Sequence, residues 1–198
     1  MTPSFITARR PVLALASTAV LLAACGGFTA VDVGGTVTGL NSPGLVLGNA
    51  GGTVSVAPTA TTFVLPTQVA IRAPYAVIVV SQPPRQNCQI FNGAGIAGAA
   101  PVTIVSVICT SNTFTVGGNV TGLAGTKLVL TNGSDQVTIA AGDASGNASF
   151  TFAQPVTDLA AYGVAVLTQP ANGQMCTVAN GSAFVDNKNV TNVAVTCR

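Results

Sequence analysis

The chain repeats itself. Val33-Gly-Gly-Thr-Val-Thr-Gly-Leu40 returns as Val116-Gly-Gly-Asn-Val-Thr-Gly-Leu123, 83 residues further on, and Leu45-Val46-Leu47 returns as Leu128-Val129-Leu130 at the same offset. Tyr75 returns as Tyr162 and Gln82-Pro83 as Gln169-Pro170 at an offset of 87, and Cys88 and Cys109 return as Cys176 and Cys197 at 88. The offset changes only where loops are expected, and loops tolerate insertions. Two modules follow, residues 30–110 and 113–198, joined by Thr110-Ser111-Asn112-Thr113. Two copies are too few for an open solenoid whose units share one core, so each module is expected to close its own.

Inside a module the apolar pattern has a period of two. Ser149-Phe150-Thr151-Phe152 alternates, as does Val193-Ala-Val195-Thr-Cys197, and Val105, Val107 and Cys109 do the same in the first copy. Half-buried strands give this pattern, because successive side chains point to opposite faces. Turn signals at Asn49-Ala-Gly-Gly52, Asn132-Gly133, Asp143-Ala-Ser-Gly-Asn147, Asn172-Gly173 and Asn180-Gly181 separate the runs. About seven short strands per module, with turns every eight to twelve residues, predicts an all-β fold of two tandem small antiparallel β-sandwiches. No helix is expected after residue 24.

The missing residue types restrict the chemistry. The chain has no His, no Glu and no Trp. The commonest general bases and metal ligands are therefore absent, leaving five scattered Asp carboxylates. That composition argues against an enzyme, and no metal or other cofactor is expected.

The N-terminal segment carries an address. Arg9 and Arg10 precede an apolar run from Pro11 to Leu22, followed by Ala23, Ala24, Cys25 and Gly26. A basic start, a short apolar stretch and a small-residue cleavage site make a secretory signal over residues 1–24. Leu22-Ala23-Ala24-Cys25 resembles the lipobox of bacterial lipoproteins. The resemblance implies lipidation of Cys25, cleavage just before it, a lipidated tether over residues 25–29, and a membrane as partner. Gly26 is not the Asp that retains such proteins at the inner membrane, so the outer membrane is the expected destination. Removing Arg9 and Arg10 from the seven basic residues leaves five, balanced by five acidic ones. A neutral surface with so few charges offers no footprint for nucleic acid.

Four cysteines remain once Cys25 is set aside. They allow three pairings. Export favours oxidation, and the repeat selects one pairing, in which each module carries its own bridge: Cys88–Cys109 and Cys176–Cys197. Each closing cysteine shares the apolar face of its neighbouring valines, which predicts a bridge at the core. Small scaffolds commonly need such a link.

Each copy resembles a module of secreted proteobacterial lipoproteins, with the pattern G-G-x-V-x-G-L, L-x-L-x-N, F-x-F, Y-x-V-x-V, Q-P, C-x-V-x-N-G and a closing V-x-V-x-C. The second copy matches through Gly117–Leu123, Leu128–Asn132, Phe150–Phe152, Tyr162–Val166, Gln169-Pro170, Cys176–Gly181 and Val193–Cys197. The first has Thr61-Thr62-Phe63-Val64-Leu65 in place of the F-x-F strand, leaving that strand open. More loosely, the order of motifs is similar to transthyretin-like or collagen-adhesin B-type sandwiches, which implies a stalk, spacer or accessory role.

Two local features suggest chemistry, and each has a plainer reading. Asp143-Ala-Ser145-Gly146-Asn147 spaces oxygen side chains as calcium loops do, but a strand-connecting turn needs nothing more. Lys127 lies where adhesin sandwiches place the lysine of an isopeptide bond; a solvated lysine is the simpler expectation. The functional expectation is a non-catalytic structural or spacer module of the cell envelope. The alternative is a module binding a glycan, peptidoglycan or an envelope protein through loops of the second sandwich.

Overall fold

A computed structural model describes residues 29–198. The expected signal segment, and Cys25 with the tether up to residue 28, lie outside the described residues.

The first module has strands β1 (Ala30–Val31), β2 (Val33–Thr38), β3 (Val46–Asn49), β4 (Gly52–Ser55), β5 (Thr62–Val64), β6 (Val69–Ala70), β7 (Pro74–Ala76), β8 (Ile78–Ser81), β9 (Gln86–Phe91), β10 (Ala94–Ile96) and β11 (Val102–Ser111). The second has β12 (Thr113–Phe114), β13 (Val116–Thr121), β14 (Leu128–Asn132), β15 (Asp135–Ile139), β16 (Ala148–Thr151), β17 (Val156–Thr157), β18 (Ala161–Thr168), β19 (Cys176–Ala179), β20 (Ser182–Phe184) and β21 (Val190–Cys197). The described residues are all-β, without a helix. Two-residue ladders and an interrupted strand raise the number of strands above the seven expected.

One sheet of each module has the same order: β5-β2-β11-β9 and β16-β13-β21-β19. Facing it are β4-β3-β8 with the separate pair β10-β7 in the first module, and β15-β14-β18-β20 in the second. The pair β7 and β8, parted at Val77, occupies the place of the continuous β18. These are β-sandwiches, with one departure from the antiparallel expectation. The first long strand and the last run parallel in each copy, Val107 beside Val37 and Val195 beside Val120. A parallel pair needs a crossover connection, which alternation within single strands does not reveal.

The buried residues fall into two separate clusters. One gathers residues from Val33 to Cys109, including Leu45, Leu47, Phe63, Val105 and Val107; the other runs from Val116 to Cys197, including Leu128, Leu130, Phe150, Phe152 and Val193. The strand left open in the first copy is present as β5. Phe63 and Leu65 are buried there, with Val64 exposed between them, as Phe150 and Phe152 flank exposed Thr151 in β16. Leucine replaces the second phenylalanine without changing the face it fills.

The repeated glycines have physical reasons. A Cβ on Gly35 would overlap the carbonyl oxygen of Val105, and one on Gly118 that of Val193, so the two central parallel strands approach only because this position is bare. Gly39 and Gly122 turn the chain at the strand ends with φ of 78° and 73°, a region costly to any residue with a Cβ.

Candidate functional site

In each module a Gln–Pro turn is tied to the disulfide. Gln82 accepts the Cys88 N–H at 2.8 Å and donates its amide N–H to the Cys88 carbonyl at 2.8 Å. Gln169 does the same for Cys176, at 2.8 and 3.1 Å. One side-chain amide thus stands where a further strand would pair, satisfying two backbone groups at the sheet edge. Because the backbone of Cys88 points outward to Gln82, its side chain faces Cys109 across a pair without mutual backbone hydrogen bonds. The bridges form there: Cys88–Cys109 and Cys176–Cys197, each with a Cα separation of 3.9 Å. All four cysteines are buried. Each bridge joins neighbouring strands of one sheet; it does not cross between the sheets.

A second glutamine pair lies two residues before each first cysteine. Gln86, 3% exposed, accepts the N–H groups of Asn41 and Ser42 and donates to the Gly39 carbonyl. Gln174 makes the matching set with Ala124, Gly125 and Gly122. These glutamines hold the distal loops against the strand that follows. The signal that would have found them is Gln-x-Cys, present in both copies.

The junction between the modules forms a third constellation. Only Asn112 separates β11 from β12. Its N–H donates to the Arg85 carbonyl at 3.0 Å, its carbonyl accepts the Asp158 N–H at 2.9 Å, and its amide reaches the Pro84 carbonyl at 3.2 Å. Arg85 of the first module then spans to the second, with Nη1 2.8 Å from Asp158 Oδ2 and Nη2 2.8 Å from Asp186 Oδ1. The Asp158 side chain is 2% exposed. Burial opposes its charge, yet the Asn187 N–H, the Arg85 guanidinium and the Leu159 N–H hold its carboxyl below the usual carboxylate range. The hydrogen bonds to Asp186 and then Asp158 raise Arg85 above its ordinary value. Pro83-Pro84-Arg85 has the local form of a strand connection, and nothing in it signals a contact with the second module.

The distal loops of the second module surround an open cleft of about 320 Å³, lined by Gly122–Thr126 and Ala141–Gly146. Its lining is small residues, without an aromatic ring. Asp143 is the charged residue in it, and its Oδ1 already accepts the N–H groups of Ser145 and Asn147, each at 2.8 Å. That is the geometry of a self-closed turn. Lys127 is exposed, outside the core an isopeptide bond requires. Among the described residues no cluster of acidic residues and cysteines could hold a metal ion, and no helix is long and apolar enough to cross a membrane.

No protein-family model matches the chain, and no curated protein matches it. Two solved structures align along most of its length. The major pilin protein from Streptococcus pyogenes is 10% identical over 85% of this chain and 96% of its own, with a TM-score of 0.27. The shaft pilin spaA from Lactobacillus rhamnosus GG is 12% identical over 86% of this chain and 98% of its own, also at 0.27. At that level of superposition neither the fold nor the role of these proteins is carried over.

Proposed function

We propose that the protein is a lipid-anchored spacer of the cell envelope, residing at the outer membrane, in which two β-sandwiches fixed end to end act without catalysis. The junction carries this reading. A one-residue connection with three hydrogen bonds, clamped by an arginine held by two carboxylates, suits a rod better than two freely swivelling domains. The chain's lack of His and Glu and the self-satisfied loop carboxylate agree with it. The distal cleft, with no aromatic platform and one carboxylate whose Oδ1 closes its own turn, supports spacing over ligand capture; an envelope protein or glycan is the class of partner such a rod would present.

Residual dipolar couplings from the secreted chain test the rod. One alignment tensor should fit both modules; two independent tensors would defeat it. The anchor is tested by Cys25→Ser, which should move the protein from the membrane fraction to the aqueous one. Unchanged membrane retention would refute lipidation at Cys25.

A further inference from the structure

The repeat supplies an internal comparison of equivalent surfaces. The end of the second module that receives Arg85 has a polar loop, with Asp158, Asp186, Asn187, Lys188 and Asn189, beside exposed Leu159 and Phe184. Register identifies the same end of the first module. Ile96 pairs beside Pro74 as Phe184 pairs beside Ala161, and Arg72 donates its N–H to Ala97 as Leu159 donates to Val185. At the equivalent places the first module has Ile71, Gly98, Ala99, Ala100 and Pro101. On the adjoining sheet, Ile104 of β11 stands where the second copy has Asn192, and Val64 of edge strand β5 where it has Thr151. Ile96, Ile104 and Val64 are 66%, 64% and 57% exposed, and Ala99, Ala100 and Pro101 are exposed beside them.

This apolar end is also where the described chain begins. The Thr29 carbonyl accepts the Ile71 N–H, and four residue steps separate Thr29 from Cys25. Fully extended, they span roughly 15 Å. A lipid on Cys25 would therefore hold this end, and not the second module, against the bilayer.

We infer that the tether-side end of the first module is a lipid-contacting foot, with Ile96, Ala99, Pro101 and Ile104 resting in the boundary between headgroups and acyl chains. The inference rests on the lipid-anchor reading above. Its physical basis is burial of an exposed apolar surface: the sister module also exposes Phe184 and Leu159, but has Asp186, Asn187, Lys188, Asn189, Thr151 and Asn192 where the first has Gly98, Ala99, Ala100, Pro101, Val64 and Ile104. Arg72 and Asp32 are the two charges at this end, of opposite sign, so the contact gains nothing from anionic lipid and is insensitive to salt. The foot would set the tilt of the rod, which a single point of attachment alone does not fix.

The chain has no tryptophan, so a single introduced indole reports its own surroundings. Ala99→Trp places it in the foot, and Ala144→Trp places it in an exposed distal loop of the second module. The lipidated full chain is reconstituted in phosphatidylcholine vesicles with brominated acyl chains. Emission from A99W should be lower than in the same vesicles without bromine, as expected for a residue at the acyl boundary, and A144W should be unaffected. Quenching should be the same at low and high salt, and adding Ile96→Asp with Ile104→Asp to A99W should abolish it while the chain still floats with the vesicles. An unquenched A99W chain that floats overturns the foot and leaves the anchor standing. A chain with Cys25 intact that fails to float overturns the anchor and the foot with it. Quenching that requires anionic lipid and disappears in salt would assign the contact to Arg72 and overturn the apolar foot.

Discussion

Gln169 grips both backbone groups of Cys176, accepting its N–H at 2.8 Å and donating to its carbonyl at 3.1 Å. The contact links the turn after β18 in one sheet to edge strand β19 in the other, so a single amide does part of the work of joining the two layers. Removing it leaves two backbone groups of a buried residue without partners. Gln169→Ala should lower the unfolding free energy by about 1–3 kcal/mol, read from the denaturant midpoint of the second module; a change within error would show that water replaces the amide at no cost.

Loss of a bridge should act through the unfolded chain. Cys176→Ala with Cys197→Ala opens a link of sequence separation 21, and the chain-entropy model gives about 3 kcal/mol for a loop near this size. The expected result is a lower melting temperature for the second module under oxidising conditions and no further change on adding reductant. An unmoved transition would mean that the neighbouring ladder already imposes the same constraint.

Gly118 should tolerate no side chain. Its Cβ would meet the Val193 carbonyl across the central parallel pair, and backbone cannot move aside as a side-chain end can. Gly118→Ala is expected to destabilise by about 2–3 kcal/mol or more, while Gly163→Ala, with open space around the new methyl, should stay within about 0.5 kcal/mol. Equal effects in thermal melts would contradict the close approach.

The junction should respond to acid in a defined direction. Asp158 is held below the usual carboxylate range in the folded protein, so its contribution is present at neutral pH and is lost as pH falls through that depressed value. Arg85→Ala or Asp158→Asn should uncouple the modules at neutral pH, seen as two alignment tensors, without lowering the melting temperature of the first module. Wild-type chain should behave likewise only in strong acid; uncoupling already at pH 6 would point to another group.

The sandwich was legible because alternation reports which face of a strand is wet. Val193, Val195 and Cys197 are buried, with Ala194 and Thr196 exposed between them, just as their spacing implies. The repeat made the disulfides legible by giving both cysteine pairs one separation. What escaped was relational. Nothing local to Val37 or Val107 says that their strands run parallel, and nothing in Pro83-Pro84-Arg85 says that the guanidinium reaches carboxylates at Asp158 and Asp186. Gln82 and Gln169 were visible as a repeated motif, but a Gln–Pro turn reads as a connection until its amide is seen meeting a cysteine's backbone.

The arginine clasp has a bearing on how many such units can be strung together. Its socket needs two carboxylates, and the first module offers Ile71 and Gly98 at those places; its plug needs a cation before Gln174, where the second module offers Ala171, Asn172 and Gly173. A head-to-tail contact that recurs builds an open filament. Here the first module lacks the socket and the second lacks the plug, so this clasp joins these two modules in one order and cannot recur from one copy of the chain to the next.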